Sequence, residues 1–415
     1  MEIQRNSYLQ KLSHYQHNHL VKIVTGLRRS GKSYLLFRLF KRQLLEAGVQ
    51  PNHIVEIAFD DFANRKYRNP EVLYDFVKSR ITDNEMHYIL LDEVQLLDDF
   101  VDVLNGFLHM PNADVYVTGS NAKFLSSDIV TEFRGRGVQI HVNPLSFKEF
   151  MSVFDGEILH GWRQYQLYGG LPMVVLEKDE GEKRQMLTKL LKETYLSDIV
   201  NRNHVQNDAE LEDLLRVLAS NIGGLTNAMK LSNTFLSEKG VAMSPVTIKR
   251  FTDYFIDSFL IERAMRFDVK GKKYINTPVK YYFSDMGLRN AVLGFRQIEP
   301  THIMENILFN ELCCRGFQVD VGVVTHYTKN ATGTTQRQQL EIDFVCNNGM
   351  ERIYIQSALS LPDSAKLQQE QRSLTLTADS FAKTIITGDN VPRHQLDNGI
   401  VVENIYEFLL GNTLN

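Results

Sequence analysis

Gly26, Gly31, Lys32 and Ser33 fall at the spacing G-x-x-x-x-G-K-S within "TGLRRSGKSY". That pattern suits a polyphosphate. Glycines at both ends let the backbone N–H groups of Leu27, Arg28, Arg29 and Ser30 curl round phosphate oxygens, and a helix opening at this point favours anions. Lys32 then reaches the β- and γ-phosphates, the Ser33 hydroxyl binds Mg2+, and Tyr34 closes the contacting segment. A glycine turn without a ligand is the alternative, and its strand and helix flanks disfavour it. Further along, the apolar run "HYILLDEVQLL" delivers Asp92 and Glu93 at its end. Asp92 is placed to hold Mg2+ through its water shell, and Glu93 to polarise the water that attacks the γ-phosphate. Such a pair alone often only caps a strand, but beside a phosphate loop it reads as the second half of a site.

Two further stretches carry weaker signals. "ADVYVTGSNAKFL" ends in Ser120 and Asn121, suited to sensing a γ-phosphate or equally to forming a turn and helix cap. "TEFRGRGVQIHV" carries Arg134 and Arg136. An arginine there can neutralise transition-state charge, usually on a neighbouring subunit's nucleotide, or can be a plain surface charge.

The elements that position these residues follow from periodicity. "VKIVT" reads as a buried strand, "KSYLLFRLFKRQLLEAG" as an amphipathic helix beginning near Lys32, and "HYILLD", "ADVYVT" and "GVQIHV" as further apolar strands. Strands alternating with helices imply an α/β fold with a parallel sheet.

Composition sets the outer bounds. The 415 residues are too many for one ordinary core, so about two to four domains are expected. Hydrophobic residues at 43% and charged residues at 23% place the chain among ordinary globular proteins. A net charge of -4 offers no global attraction to nucleic acid, so any such binding must come from a local basic face. Three cysteines, two of them the neighbours Cys313 and Cys314 and the third Cys346, cannot all pair within the chain and fit a reducing compartment. The opening "MEIQRNSYLQKLSHYQHNHL" lacks the apolar core of a signal peptide, and no run is long enough to span a bilayer. A cytoplasmic protein without a membrane partner is expected.

With the phosphate loop and "LLDE", the stretches "DEVQ", "TGSNAKFLSSDI", "FRGRG", "NPLSFKEF" and "YGGLPMVV" resemble a bacterial and archaeal family within the AAA+ branch of P-loop ATPases. In that family the ATPase domain precedes a carboxyl-terminal domain of uncharacterised function. The resemblance covers most of the chain and is loosest over the first twenty and last fifty residues. It implies ATP and Mg2+ as cofactors. It also implies a small helical lid starting near Ser146 that includes Tyr168, Gly169, Gly170, Leu171 and Pro172.

From about Asp208 the chain reads as three short helices, the third opening with Ser244 as N-cap and Pro245 at the first helical position. The strand-like "FLIERAMRFDV", the turn "KGKK" and "YINTPVKYYFSD" follow. Helix-turn-helix plus hairpin is a winged-helix plan. Lys249 and Arg250 on the third helix, and Arg266, Lys270, Lys272, Lys273 and Lys280 on the hairpin, are candidates for DNA phosphate contact. Winged helices also serve as protein-docking or structural modules, and lysines are common on solvated turns. "KYYFSDMGLRNAVLG" resembles the shared carboxyl-terminal region of the same family, which says nothing of its ligand.

After Pro300 the order helix, three strands, helix, strand resembles the core of the PD-(D/E)XK nucleases. In that core a helix glutamate, a strand aspartate and an E-x-K strand build a divalent-metal site with a lysine beside it. Glu305 and Asp343 match, but Gln356 stands where the second acid belongs and Ala358 where the lysine belongs. Mg2+ prefers carboxylates and would be held poorly. Glu341, two residues before Asp343 on the same strand face, is a replacement carboxylate, while the lysine has no evident replacement. The twelve histidines show no H-x-x-x-H and the cysteines no C-x-x-C, so no zinc site is expected.

The resulting expectation is α/β: a P-loop AAA+ ATPase domain (1–145), a helical lid (146–205), a winged-helix domain (206–298) and an inactive nuclease-like domain (299–415). Its function would be ATP hydrolysis coupled to rearrangement of the later domains on DNA, with a homo-oligomer possible. The alternatives are a nucleotide-dependent switch or scaffold for a partner protein, and an ATP-dependent nuclease.

Overall fold

The computed structural model describes residues 2–119, 135–329 and 335–411. Two compact units emerge. The first comprises Met1–Pro144, Leu171–Met173 and Asp257–Phe259; the second comprises Leu145–Gly170, Val174–Ile256 and Leu260–Asn415.

The first unit is built on five parallel strands: β1 (Val21–Thr25), β2 (Ile54–Ala58), β3 (His87–Asp92), β4 (Ala113–Thr118) and β5 (Gly137–His141), in the order β2-β3-β4-β1-β5. The central strands are apolar because both faces are covered. Alternation sorts their side chains: Val21, Ile23, Ile89, Leu91, Val115 and Val117 join one core, while Val24, Tyr88, Leu90 and Tyr116 join the other. Helices Pro70–Arg80 and Phe100–Phe107 cover the first face through Leu73, Val77, Val103, Leu104 and Phe107. The helical run from Lys32 to Glu46, with a π-type turn over Leu35–Phe40, covers the second. It buries Leu35, Leu36, Leu39, Phe40 and Leu44 there, each contributing about 1.5–3 kcal/mol. One buried ion pair interrupts this apolar core. Lys22 of β1 meets Asp114 of β4, whose other oxygen accepts from the Tyr116 hydroxyl at 2.8 Å.

In the second unit, helices Asp208–Ser220, Ala228–Lys239 and Pro245–Asp257 precede the first strand. Ser244 caps the third, accepting from Thr247 N at 3.1 Å. Eight strands follow: β6 (Ile261–Asp268), β7 (Lys273–Phe283), β8 (Gln318–Lys329), β9 (Thr335–Asn348), β10 (Glu351–Ala358), β11 (Ala382–Thr387), β12 (His394–Gln395) and β13 (Val401–Asn404). They form one sheet in the order β12-β13-β11-β10-β9-β8-β6-β7. The β6–β7 hairpin therefore shares a sheet with the strands beyond residue 299, because Arg266–Asp268 pair in parallel with Val321–Val323. A register shift between Ala264 and Arg266 bends the hairpin at that point.

Two of the quoted sequence stretches meet in this unit. Gly170 N donates to Asp285 Oδ2 at 2.7 Å, and a Cβ on Gly287 would lie 2.1 Å from Tyr168 O. The chain at residues 168–170 is thereby held to the start of helix Met286–Val292. Arg289 of that helix is fully buried and donates from Nε to Ala219 O at 2.9 Å and from Nη1 to Gln297 O at 2.6 Å. Among the described residues, no helix is long and apolar enough to cross a membrane.

Candidate functional site

The glycine-bounded loop read as a phosphate loop runs from the end of β1 to the helix opening at Lys32. Gly26 has φ +134°, and a Cβ there would lie 2.2 Å from Val142 O, so only glycine lets the loop leave β1 against the segment after β5. Gly31 (φ +96°) and Arg29 (φ +66°) also hold left-handed conformations. Ser30 and Leu27 are buried, Arg29, Ser33 and Tyr34 are exposed, and Arg28 is half-buried. The Tyr34 hydroxyl donates to Glu2 Oε2 at 3.3 Å.

Lys32 turns back into the loop, its Nζ donating to Gly26 O and Leu27 O, each at 3.0 Å. Burial pushes its pKa down to about 8, against the opposing pull of Glu93 and Asp92. β3 brings Asp92 to the same end of the sheet, where the Ser33 hydroxyl donates to its Oδ1 at 3.0 Å. The Thr118 hydroxyl, at the end of β4, donates to the same oxygen. Burial raises the Asp92 pKa, while these hydroxyls work against that shift. Because β4 lies between β1 and β3 in the sheet, Thr118 sits between loop and carboxylate. Glu93 follows with φ +53°, its N–H donating to Thr118 Oγ1 at 3.2 Å and its carboxylate accepting from Gln95 Nε2.

Thr118 and His141 had no motif to announce them. Thr118 is one step before the glycine in "VTGS", and the end of an apolar strand beside a D-E strand was the only available signal. His141 ends β5 with Nδ1 3.5 Å from Thr25 Oγ1. Burial, and then the Lys32 charge, push its pKa down to about 4, so it is a neutral base at pH 7. Arg136 is exposed just before β5, its carbonyl accepting from Val21 N at 2.9 Å. Ser120, Asn121 and Arg134 lie outside the described residues.

A second cluster forms in the other unit. Glu305, on helix Pro300–Cys314, accepts at Oε1 from Lys280 Nζ at 2.8 Å and from the Tyr282 hydroxyl at 2.7 Å. The same ammonium lies 2.8 Å from Glu341 Oε1. Asp343 Oδ2 accepts from Ser357 N at 2.8 Å, and its pKa is raised by burial and then by the Glu305 charge. Burial alone would lower the pKa of Lys280, but Glu305, Asp343 and Glu341 together outweigh it and raise it. This corrects two expectations. Lys280 is only 3% exposed, so it is no surface lysine for DNA phosphate, and it brings to the carboxylates the ammonium that Ala358, itself buried, cannot. Its apolar neighbours Val279, Tyr281, Tyr282 and Phe283 were the signal for burial. Gln356, on β10, accepts at Oε1 from the Ser373 hydroxyl at 3.4 Å. Lys249, Arg250, Lys270, Lys272 and Lys273 are all exposed.

Comparison with known proteins places these sites in a family. Residues 18–151 match the model of an AAA domain, and residues 159–299 match a domain of unknown function (DUF8612). A solved structure of the Aeropyrum pernix ORC1 protein in complex with DNA is 12% identical, covering 70% of this chain and 92% of that one. Its TM-score of 0.30 is too low to bear on fold or ligand. An uncharacterized protein of Methanocaldococcus jannaschii is 27% identical across 88% of this chain and 82% of its own length. An uncharacterized protein of Haemophilus influenzae is 32% identical over 414 residues, 98% of each chain. This chain belongs to the family of that Haemophilus influenzae protein, with an AAA domain in its amino-terminal third.

Proposed function

We propose that this protein is a Mg-ATP-dependent ATPase whose turnover rearranges its carboxyl-terminal unit on DNA. One observation carries the ATPase reading: the Ser33 and Thr118 hydroxyls converge on Asp92 while Lys32 is held in the adjoining loop. Ser33 and Asp92 would hold Mg2+, which when bound draws charge from the phosphate oxygens. The residues present fit it, because hydroxyl and carboxylate oxygens are the donors this hard cation takes. Lys32 exchanges two loop carbonyls for phosphate oxygens, and the loop N–H groups of Leu27 to Ser30 take the remaining charge. Glu93 orients and polarises the attacking water, and its N–H bond to Thr118 ties its backbone to the residue that orients Asp92. Ser120 or Asn121 senses the γ-phosphate, and Arg134 or Arg136 acts on a neighbouring subunit's nucleotide in a homo-oligomer.

Phosphate release from Mg-ATP by the purified chain tests this. Lys32→Ala should abolish turnover, and Glu93→Gln should retain ATP binding while losing hydrolysis. Undiminished hydrolysis by Lys32→Ala would remove the reading. The DNA role rests on the exposed Lys249, Arg250, Lys270, Lys272 and Lys273, on elements ordered as in a winged helix. Several lysines on phosphate should make DNA affinity fall steeply with salt. An absence of binding at low salt would favour a nucleotide switch for a protein partner.

A second reading, an ATP-dependent nuclease, is favoured by Lys280. Its ammonium lies against Glu305 and Glu341, where a lysine would assist an attacking water, and Glu305 and Asp343 with Glu341 would hold a divalent cation. Incubation of the wild type with DNA and Mg2+ or Mn2+ decides it. Absence of cleavage by a chain with intact ATPase activity would leave Lys280 as the internal counter-ion of three carboxylates.

A further inference from the structure

At the far end of β3 from Asp92, three side chains form a cluster that the nucleotide site does not use. His53 ends the single turn Pro51–His53 before β2, His87 opens β3, and Asp83 lies in the segment leading to β3. β2 and β3 are parallel neighbours with Ile54 beside Tyr88, so the residue before each is brought to the same edge. The two imidazole centroids are 4.5 Å apart. One ligand atom from each of His53, Asp83 and His87 lies within 4.8 Å of the other two.

The hydrogen bonds fix how each group faces. His87 Nδ1 lies 2.8 Å from Glu85 O, a carbonyl that can only accept, so Nδ1 carries the proton and Nε2 carries a lone pair. That Nε2 is buried without any partner, in a residue with 0% exposure. Asp83 Oδ1 accepts from Glu85 N at 2.9 Å, which leaves Oδ2 to face His53 Nε2, also at 2.9 Å. Asn112 Nδ2 donates to Asp83 O at 2.8 Å and to Glu85 O at 3.2 Å, holding the turn. A plain His53–Asp83 pair packed on a second ring would explain most of this arrangement. It leaves the His87 lone pair unexplained, at a cost of about 1–3 kcal/mol for a buried unpaired polar atom.

We propose that His53, Asp83 and His87 bind a borderline transition-metal cation of the Zn2+ class. Two imidazoles and one carboxylate suit such an ion, whereas Mg2+ prefers all-oxygen sites. The His87 contact to a backbone carbonyl is the support that a ligating histidine ordinarily receives on its other nitrogen. On binding, His53 presents the Nε2 lone pair to the ion and carries on Nδ1, by exchange through solvent, the proton that Nε2 had shared with Asp83. The ion would join β2, β3 and the 83–87 turn about 16 Å from Asp92, given five residues of extended strand. It acts on the anchorage of β3 and not on the phosphates.

The test uses the untagged, metal-free full-length chain. Co2+ titration followed by visible absorption, and Zn2+ in competition with a chromophoric chelator, should each report one equivalent bound. His87→Ala should lose it, and Asp83→Asn and His53→Gln should weaken it at least tenfold. Zn2+ should raise the melting temperature of the wild type but not of these variants. Asp83 is exposed and its substitution leaves the core intact, so it decides the matter if His87→Ala fails to fold. No stoichiometric binding by the wild type overturns the proposal. So does unchanged affinity in both Asp83→Asn and His53→Gln, which would mark adventitious chelation by other histidines.

Discussion

Ser33 and Asp92, fifty-nine positions apart, are joined by one hydrogen bond of 3.0 Å from hydroxyl to carboxylate. The bond ties the phosphate loop to β3 and aims both oxygens at one place. Ser33→Ala should lower Mg-dependent ATP turnover by roughly tenfold or more. Asp92 keeps the Thr118 bond in that variant, so stability should change by only about 1 kcal/mol. Phosphate release and urea unfolding on the same sample separate the two effects. Unchanged turnover would take Ser33 out of the site.

Lys32 titrates within reach of ordinary buffers. Its pKa in the free protein is pushed down to about 8, and an added polyphosphate would raise it again. Binding therefore takes up a proton above that pH. ATP affinity should fall as pH rises through about 8, approaching tenfold per unit. Isothermal titration between pH 7 and 9.5 would read this as a steepening loss. Lys32→Arg, whose guanidinium stays protonated, should show a flat profile if it binds at all.

Lys280 neutralises part of a buried cluster of like charge. Lys280→Met leaves Glu305, Asp343 and Glu341 without their ammonium, and removing one partner from a buried ionic set costs about 3–5 kcal/mol. The melting temperature should fall, and millimolar Mn2+ should restore part of the loss in this variant more than in the wild type. A neutral effect on stability would mean that the carboxylates are already protonated.

Lys22 and Asp114 form the buried pair of the first unit, both nearly inaccessible to water. Lys22→Met alone should destabilise by about 3–5 kcal/mol, because Asp114 is left charged beside Tyr116. Adding Asp114→Leu should recover much of it. A double-mutant cycle in urea measures the coupling, and simple additivity would show the pair to be independent.

What could be read in advance depended on how local each feature is. The strand at Val21–Thr25 and the helix opening at Lys32 are contiguous with the loop they frame, and glycine, lysine and hydroxyl all fall inside eight positions. Thr118 was invisible because its partner Asp92 lies twenty-six positions earlier, and only the sheet order brings them together. The burial of Lys280 is hidden by its setting, because a hairpin with a basic tip suggests solvent on every lysine. The register shift between Ala264 and Arg266 and the meeting of Lys280 with Glu305 are long-range facts. His53 and His87 carry no fixed-spacing signature for the same reason, since they meet at the starts of two neighbouring strands and not along one helix.

The sheet order also bears on how the chain comes to be folded. Among the described residues β1 pairs only with β4 and β5, so the first strand synthesised has no partner until nearly ninety further residues have appeared. At about 5–20 residues per second it waits roughly four to eighteen seconds, an apolar segment with both edges open. The phosphate loop cannot exist as a separate early module. Its exit from β1 also needs the segment at Val142 in place, so the loop can take shape only once about a third of the 415 residues have been made.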